Sequence, residues 1–168
     1  NIRADFEDLR ARVSGPHYIL VEGRISDGGN DDTHAFVLYP LAASTEVLAL
    51  GARVEGSLSA PGAVARYAFS LDAETDVYVD VEAPNSSGWT WRLDGPRGQV
   101  DSRTFRNSDG DEASYPPFYR APAGDYVLSV EAGSGQVGDF ALRVLDLADA
   151  AEISAGTPVS GTLAPGAE

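Results

Sequence analysis

An internal repeat sets the architecture open to this chain. Gly51-Ala52-Arg53-Val54-Glu55-Gly56-Ser57-Leu58 returns 105 residues later as Gly156-Thr157-Pro158-Val159-Ser160-Gly161-Thr162-Leu163. Both runs continue into Ala-Pro-Gly-Ala, at 60–63 and 164–167. A second pair keeps nearly the same spacing: Tyr18-Ile19-Leu20-Val21-Glu22 resembles Tyr126-Val127-Leu128-Ser129-Val130-Glu131. Gly15 and Gly124 precede these runs, and apolar stretches at 35–41 and 140–147 follow them. A period of this length is that of a whole small domain. The expected organisation is therefore the closing part of one module at 1–43, a complete module at 44–150, and the start of another at 151–168. The connectors Ala42–Thr45 and Ala148–Glu152 are short and lack the composition of a flexible linker, so neighbouring modules are expected to pack directly.

Alternation within the complete module predicts strands. Tyr67, Phe69 and Leu71 fall on one side of a period-2 pattern, as do Val77, Val79 and Val81. Trp89, Trp91 and Leu93 form a third such set, Tyr126, Leu128 and Val130 a fourth, and Phe140, Leu142 and Val144 a fifth. Such sets give strands with one buried face. Turn-forming clusters separate them: Ala60-Pro61-Gly62, Asp72–Asp76, Pro84–Gly88, Asp94–Gly98 and Pro122–Asp125. Many short strands with frequent turns predict an all-β, antiparallel sandwich. The one helix-like stretch, Phe6–Val13, corresponds by the repeat to Pro117–Ala123 and is expected to be irregular or extended.

Composition agrees and excludes several functions. Of 168 residues, 18 are Gly and 10 Pro, which suits turns rather than long helices, and 43% are hydrophobic, enough for a core. Asp and Glu number 26 against 12 Lys and Arg, for a net charge of −14. Such a surface repels nucleic acid and anionic membranes. Cysteine is absent, which removes disulfides, thiolate metal sites and thiol nucleophiles. The sequence holds no apolar run of transmembrane length, so no membrane insertion is expected of it. It contains no Met and starts at Asn1, which gives the expectation of an excerpt from a longer polypeptide.

The ordered motifs resemble a known family. Gly51-x-x-Val54-x-Gly56-x-Leu58, then Pro61-Gly62, then Tyr67-Ala68-Phe69-x-Leu71 resembles the opening of the bacterial pre-peptidase C-terminal domain. Trp91–Gly98 is similar to that family's middle hairpin. Ala123-Gly124-Asp125-Tyr126-x-Leu128-x-Val130 and Gly138-Asp139-Phe140-Ala141-Leu142 are similar to its last two strands. The resemblance spans the central module and, through the repeat, both flanking pieces. It implies a jelly-roll-like β-sandwich, either an accessory to secreted peptidases or a tandem unit of very large bacterial surface proteins. Some relatives bind calcium or matrix polymers.

Candidate sites are few. Asn107, Asp109, Asp111 and Glu112 gather oxygen ligands of the kind calcium takes, and so do Asp27, Asn30, Asp31 and Asp32. Neither loop has the spacing of an EF-hand, and the same residues are ordinary turn formers. Trp89 and Trp91 share a face with Leu93, which favours core packing over a sugar-stacking platform. Asp80 and Glu82 share a strand face and invite comparison with a glycosidase pair, but a solvated strand face accounts for them better. His17 and His34 are the only histidines, and no third partner for a nucleophilic triad is identifiable. No cofactor is expected beyond calcium, and no catalysis. The expected role is a structural or adhesive repeat module of a large extracellular or cell-surface bacterial protein, with a fibre or filament among its forms. The alternative is an accessory module of a secreted hydrolase that binds carbohydrate or a matrix protein. The expected partners are neighbouring modules, copies of the same chain, or a surface polymer or protein.

Overall fold

The structure, a computed structural model, describes residues 15–19, 44–82, 88–108, 118–133 and 136–161. Chain contacts divide the molecule into two compact units, Asn1–Pro40 and Leu41–Glu168. In the first, only residues 15–19 are described, and they form no strand. The stretch 6–13 lies outside the described residues. The fold given below is that of the second unit.

The expected sandwich is present. Its described strands are β1 (Thr45–Val47), β2 (Val54–Leu58), β3 (Val64–Leu71), β4 (Thr75–Val81), β5 (Trp89–Gly95), β6 (Gly98–Thr104), β7 (Phe118–Ala121), β8 (Gly124–Ala132) and β9 (Gly138–Asp146). Two sheets hold them, one in the order β1-β3-β8-β5-β6 and the other β2-β9-β4-β7. From β2 to β5, each strand lies in the opposite sheet from the one before it. The described turns from β2 to β3 and from β3 to β4 therefore arch across the sandwich rather than close hairpins. The exception is β5–β6, a hairpin turning at Pro96 and Arg97, where Gly98 takes the left-handed conformation (φ 101°) that its position requires.

Every pairing is antiparallel except β1 with β3, which is parallel and pairs Thr45 with Arg66 and Val47 with Ala68. This one departure from the expected antiparallel pattern follows from the path of the opening segment. Thr45–Leu58 starts at the edge of the five-stranded sheet and then crosses over. It turns at 49–52, where Ala52 N–H donates to the Ala49 carbonyl (3.1 Å) and Gly51 has φ 77°. It then runs as β2 along the edge of the four-stranded sheet, antiparallel to β9.

The alternating apolar residues face one another between the sheets. Tyr67, Phe69, Leu71, Val77, Val79, Val81, Trp91, Leu93, Tyr126, Leu128, Val130, Phe140, Leu142 and Val144 are all buried in one cluster. Trp89 is buried too, and this decides between core and surface for both tryptophans in favour of the core. Its ring lies 5.8 Å from those of Phe105 and Phe140, and Phe69 stacks on Tyr126 at 5.2 Å. Such ring pairs add directional contacts to the burial of area.

Gly56 is where β2 and the aromatic cluster meet. A Cβ on this residue would collide with Phe140 Cζ and lie 2.5 Å from the Tyr67 hydroxyl. The absence of a side chain at 56 thus lets two rings reach the edge strand.

Candidate functional site

Among the described residues, three polar clusters stand out beside exposed pairs such as Arg120 with Asp76 and Arg92 with Asp94, and in each the groups are tied to one another. The first bridges the sheets. Asp101 on β6 accepts hydrogen bonds from the Tyr119 hydroxyl on β7 and from Arg103 Nε (2.7 Å). The Arg103 guanidinium also lies over the Tyr119 ring, 5.3 Å from its centre. β6 belongs to one sheet and β7 to the other, so this cluster clamps the sandwich along one open side. Burial alone would raise the Asp101 carboxyl. Hydrogen bonds from Tyr119, Arg103 and the Ser102 N–H outweigh it and hold that group below the usual carboxylate range. Burial, and then the hydrogen bond to Asp101, pushes the Tyr119 phenol well above its ordinary value.

The second cluster gathers around Glu82, just beyond the end of β4. Arg143 on β9 reaches Glu82 Oε1 at 2.6 Å, and Arg53 Nε donates to Oε2. Arg53 also contacts Glu55. The Glu82 side chain is only 7% exposed, and Asp80, two residues earlier, is 6% exposed. The expectation of a solvated face for this pair is therefore corrected. The outward side of β4 is covered at its end, and a carboxylate there is retained because cations grip it. A buried charge without such partners would be costly. Both Glu82 oxygens are engaged by arginines.

The third lies inside the core. The Trp91 indole N–H donates to Ser108 Oγ (2.9 Å), and the Ser108 hydroxyl donates to the Val79 carbonyl (3.3 Å). Trp91 and Ser108 are each 1% exposed. Nothing in the alternation pattern singles out Ser108, because it follows a short 3-10 turn, Phe105–Asn107, rather than sitting on a strand.

Of the calcium candidates, Asn107 closes that turn. Asp109, Asp111 and Glu112 lie outside the described residues, as do Asp27, Asn30, Asp31, Asp32 and His34. His17 is exposed. Among the described residues, no three His, Asp or Glu side chains come together as a metal site would require. Among the same residues, no helix is long and apolar enough to cross a membrane.

No family model matches the chain, and no curated protein matches it. Solved structures do. The pre-peptidase C-terminal domain of a collagenase from Bacillus anthracis is 18% identical, with a TM-score of 0.48 over 64% of this chain and 98% of that one. PliG from Salmonella Typhimurium, a periplasmic inhibitor of g-type lysozyme, is 20% identical, with a TM-score of 0.46 over 60% of this chain and 96% of that one. PliG from Aeromonas hydrophila is 17% identical, with a TM-score of 0.42 over 61% and 98%.

Proposed function

We propose that this chain is a non-catalytic structural or adhesive module of a large extracellular or cell-surface protein. The observation that carries this reading is how its polar side chains are used. The clusters at Asp101, Glu82 and Ser108 join strand to strand within the module. The Asp101 and Ser108 groups tie one sheet to the other and the Glu82 group ties strands within one sheet, so these charges and hydrogen bonds are engaged in holding the module together, which suits a scaffold. The acidic surface and the lack of cysteine fit a domain that stays folded and dispersed outside the cell without disulfides. The internal repeat supports a reading in which such modules follow one another in series. A fibre or filament is one form such a series can take.

Two measurements test this. An antibody raised against the module should label intact cells of the producing bacterium, and externally added protease should remove the signal. The purified chain should show no turnover of peptide, ester or glycoside substrates. Labelling that requires permeabilised cells, or turnover that follows the purified protein, would overturn the reading. Saturable binding to a polysaccharide or matrix protein, together with a hydrolase domain in the same polypeptide, would replace it with the accessory-module alternative.

A further inference from the structure

We infer that residues 151–161 are the preformed opening segment of a second module, and that their partner is a module body of the same kind joined to them in sequence. This rests on the structural-module reading above and names the partner that reading leaves open.

The two copies share a backbone turn. In the complete module, the opening segment turns through a hydrogen bond from Ala52 N–H to the Ala49 carbonyl at 3.1 Å, with Gly51 at φ 77°. At the same offset as the sequence repeat, Thr157 N–H donates to the Ser154 carbonyl, also at 3.1 Å, with Gly156 at φ 81°. The repeat is thus one of conformation as well as of sequence. The local turn forms in both copies, although only one of them has a core beside it.

The surroundings of the two copies then differ at the apolar positions described in both. Leu48 is 3% exposed in the core, whereas its counterpart Ile153 is 76% exposed. Val54 packs against the core, whereas Val159 is 72% exposed. Gly56 lies against Phe140 and Tyr67, whereas a Cβ at Gly161 would meet nothing within 4 Å among the described residues. Its φ is not in the left-handed region, so the backbone conformation does not call for a glycine at 161. It has a purpose if an aromatic ring is to reach that edge, as Phe140 does at Gly56.

The first copy therefore specifies what covers the second. The segment requires an antiparallel strand with the inward pattern of β9, Phe140, Leu142 and Val144, and a facing strand that supplies the Tyr67 ring. Another copy of this chain offers a poor fit, because its β9 edge is already filled by its own β2. In the complete module, the opening segment leads to its body through Ala60-Pro61-Gly62, and the sequence Ala164-Pro165-Gly166 repeats that turn. Hence the body is attached rather than borrowed.

The test extends the full chain by appending a copy of residues 59–150 after Leu163. That body is the one already seen folded with its own opening segment, so the result depends on whether 151–163 can replace residues 46–58. The extended chain is expected to show a second unfolding unit and about twice the module's heat of unfolding, because that heat scales with the residues folded. Amides at 157–163 should become protected from hydrogen exchange. Ile153→Asp, Val159→Asp and Gly161→Val should each weaken or abolish the second unit while sparing the first. In the parent chain, the same substitutions should leave the unfolding midpoint unchanged. An extended chain with no second unit, or one insensitive to these substitutions, would overturn the inference. So would a parent chain that self-associates through this segment, with association lost in Val159→Asp, since the partner would then be another molecule. None of these outcomes bears on surface labelling or turnover, so failure here leaves the proposed function to its own tests.

Discussion

The hydrogen bond between Trp91 and Ser108 allows a sharp test of the core. Both residues are 1% exposed, and the indole N–H has the Ser108 oxygen as its acceptor at 2.9 Å. Ser108→Ala removes two things. It takes away the hydroxyl's bond to the Val79 carbonyl, which at 3.3 Å is worth about 1 kcal/mol or less. It also leaves the indole N–H buried without an acceptor, which costs about 1–3 kcal/mol more. In a Trp91→Phe background the second loss vanishes, because phenylalanine has no N–H to strand. The cost of Ser108→Ala should therefore be about 1–3 kcal/mol larger in the wild type than in Trp91→Phe. Urea denaturation of the four proteins in the cycle measures this. With a slope of about 2 kcal/mol per molar for a domain of this size, a coupling of about 2 kcal/mol corresponds to roughly 1 M in the midpoint. Equal costs in the two backgrounds would show that the bond is not what keeps Ser108 buried.

The glycine, the clamp and the acidic loops give further tests. Gly56→Ala places a methyl against Phe140 and Tyr67 and should destabilise the module by about 1–3 kcal/mol, read from the thermal or urea midpoint. The Asp101 carboxyl is held below its unfolded value, so it contributes stability above the ordinary carboxylate pKa of about 3.9, and that contribution disappears as pH falls through the lower folded value. Asp101→Asn should flatten that acid limb in stability measured from about pH 5 down to about pH 2, and an unchanged limb would contradict the role given to the clamp. Calorimetric titration with millimolar calcium should give no binding heat if turn chemistry accounts for the acidic loops. Heat that is lost in Asp109→Ala and Asp111→Ala would instead assign an ion to that loop.

The core was legible because the large apolar side chains alternate along the covered strands, even where a smaller or polar neighbour such as Asp80, Ser129 or Ala141 is buried between them. Tyr67, Phe69, Val79, Trp91, Leu128 and Phe140 all lie inside as their spacing predicts. Edge strands were harder to see. β6 reads Gly-Gln-Val-Asp-Ser-Arg-Thr and is largely exposed, so it carries almost no apolar signal even though its backbone pairs along its length with β5. β1 is a three-residue exposed strand whose place depends on the parallel partner β3, a long-range pairing with no local signature. The polar clusters were hidden for a related reason. Asp80 and Glu82 alternate as solvated residues would, and only the arrival of Arg53 and Arg143 from other parts of the chain shows why Glu82 is held under cover. Gly56 did leave a signal, since the repeat keeps glycine at 161, but the rings that require it come from β3 and β9.

The path of the opening segment also determines how the module meets a pulling force. β2 and β9 are antiparallel neighbours, and the N-terminal end of β2 lies beside the C-terminal half of β9, where Gly51 N–H donates to the Val144 carbonyl. Tension applied through the chain on either side of the module therefore arrives at the same end of this strand pair. The load meets the hydrogen bonds one rung at a time instead of shearing the whole ladder at once. β1 holds only three residues against β3, so it peels away first and leaves β2 to follow. A chain of about 100 residues released in this way extends by roughly 300 Å. The strand geometry thus favours opening by unzipping over resistance by shear.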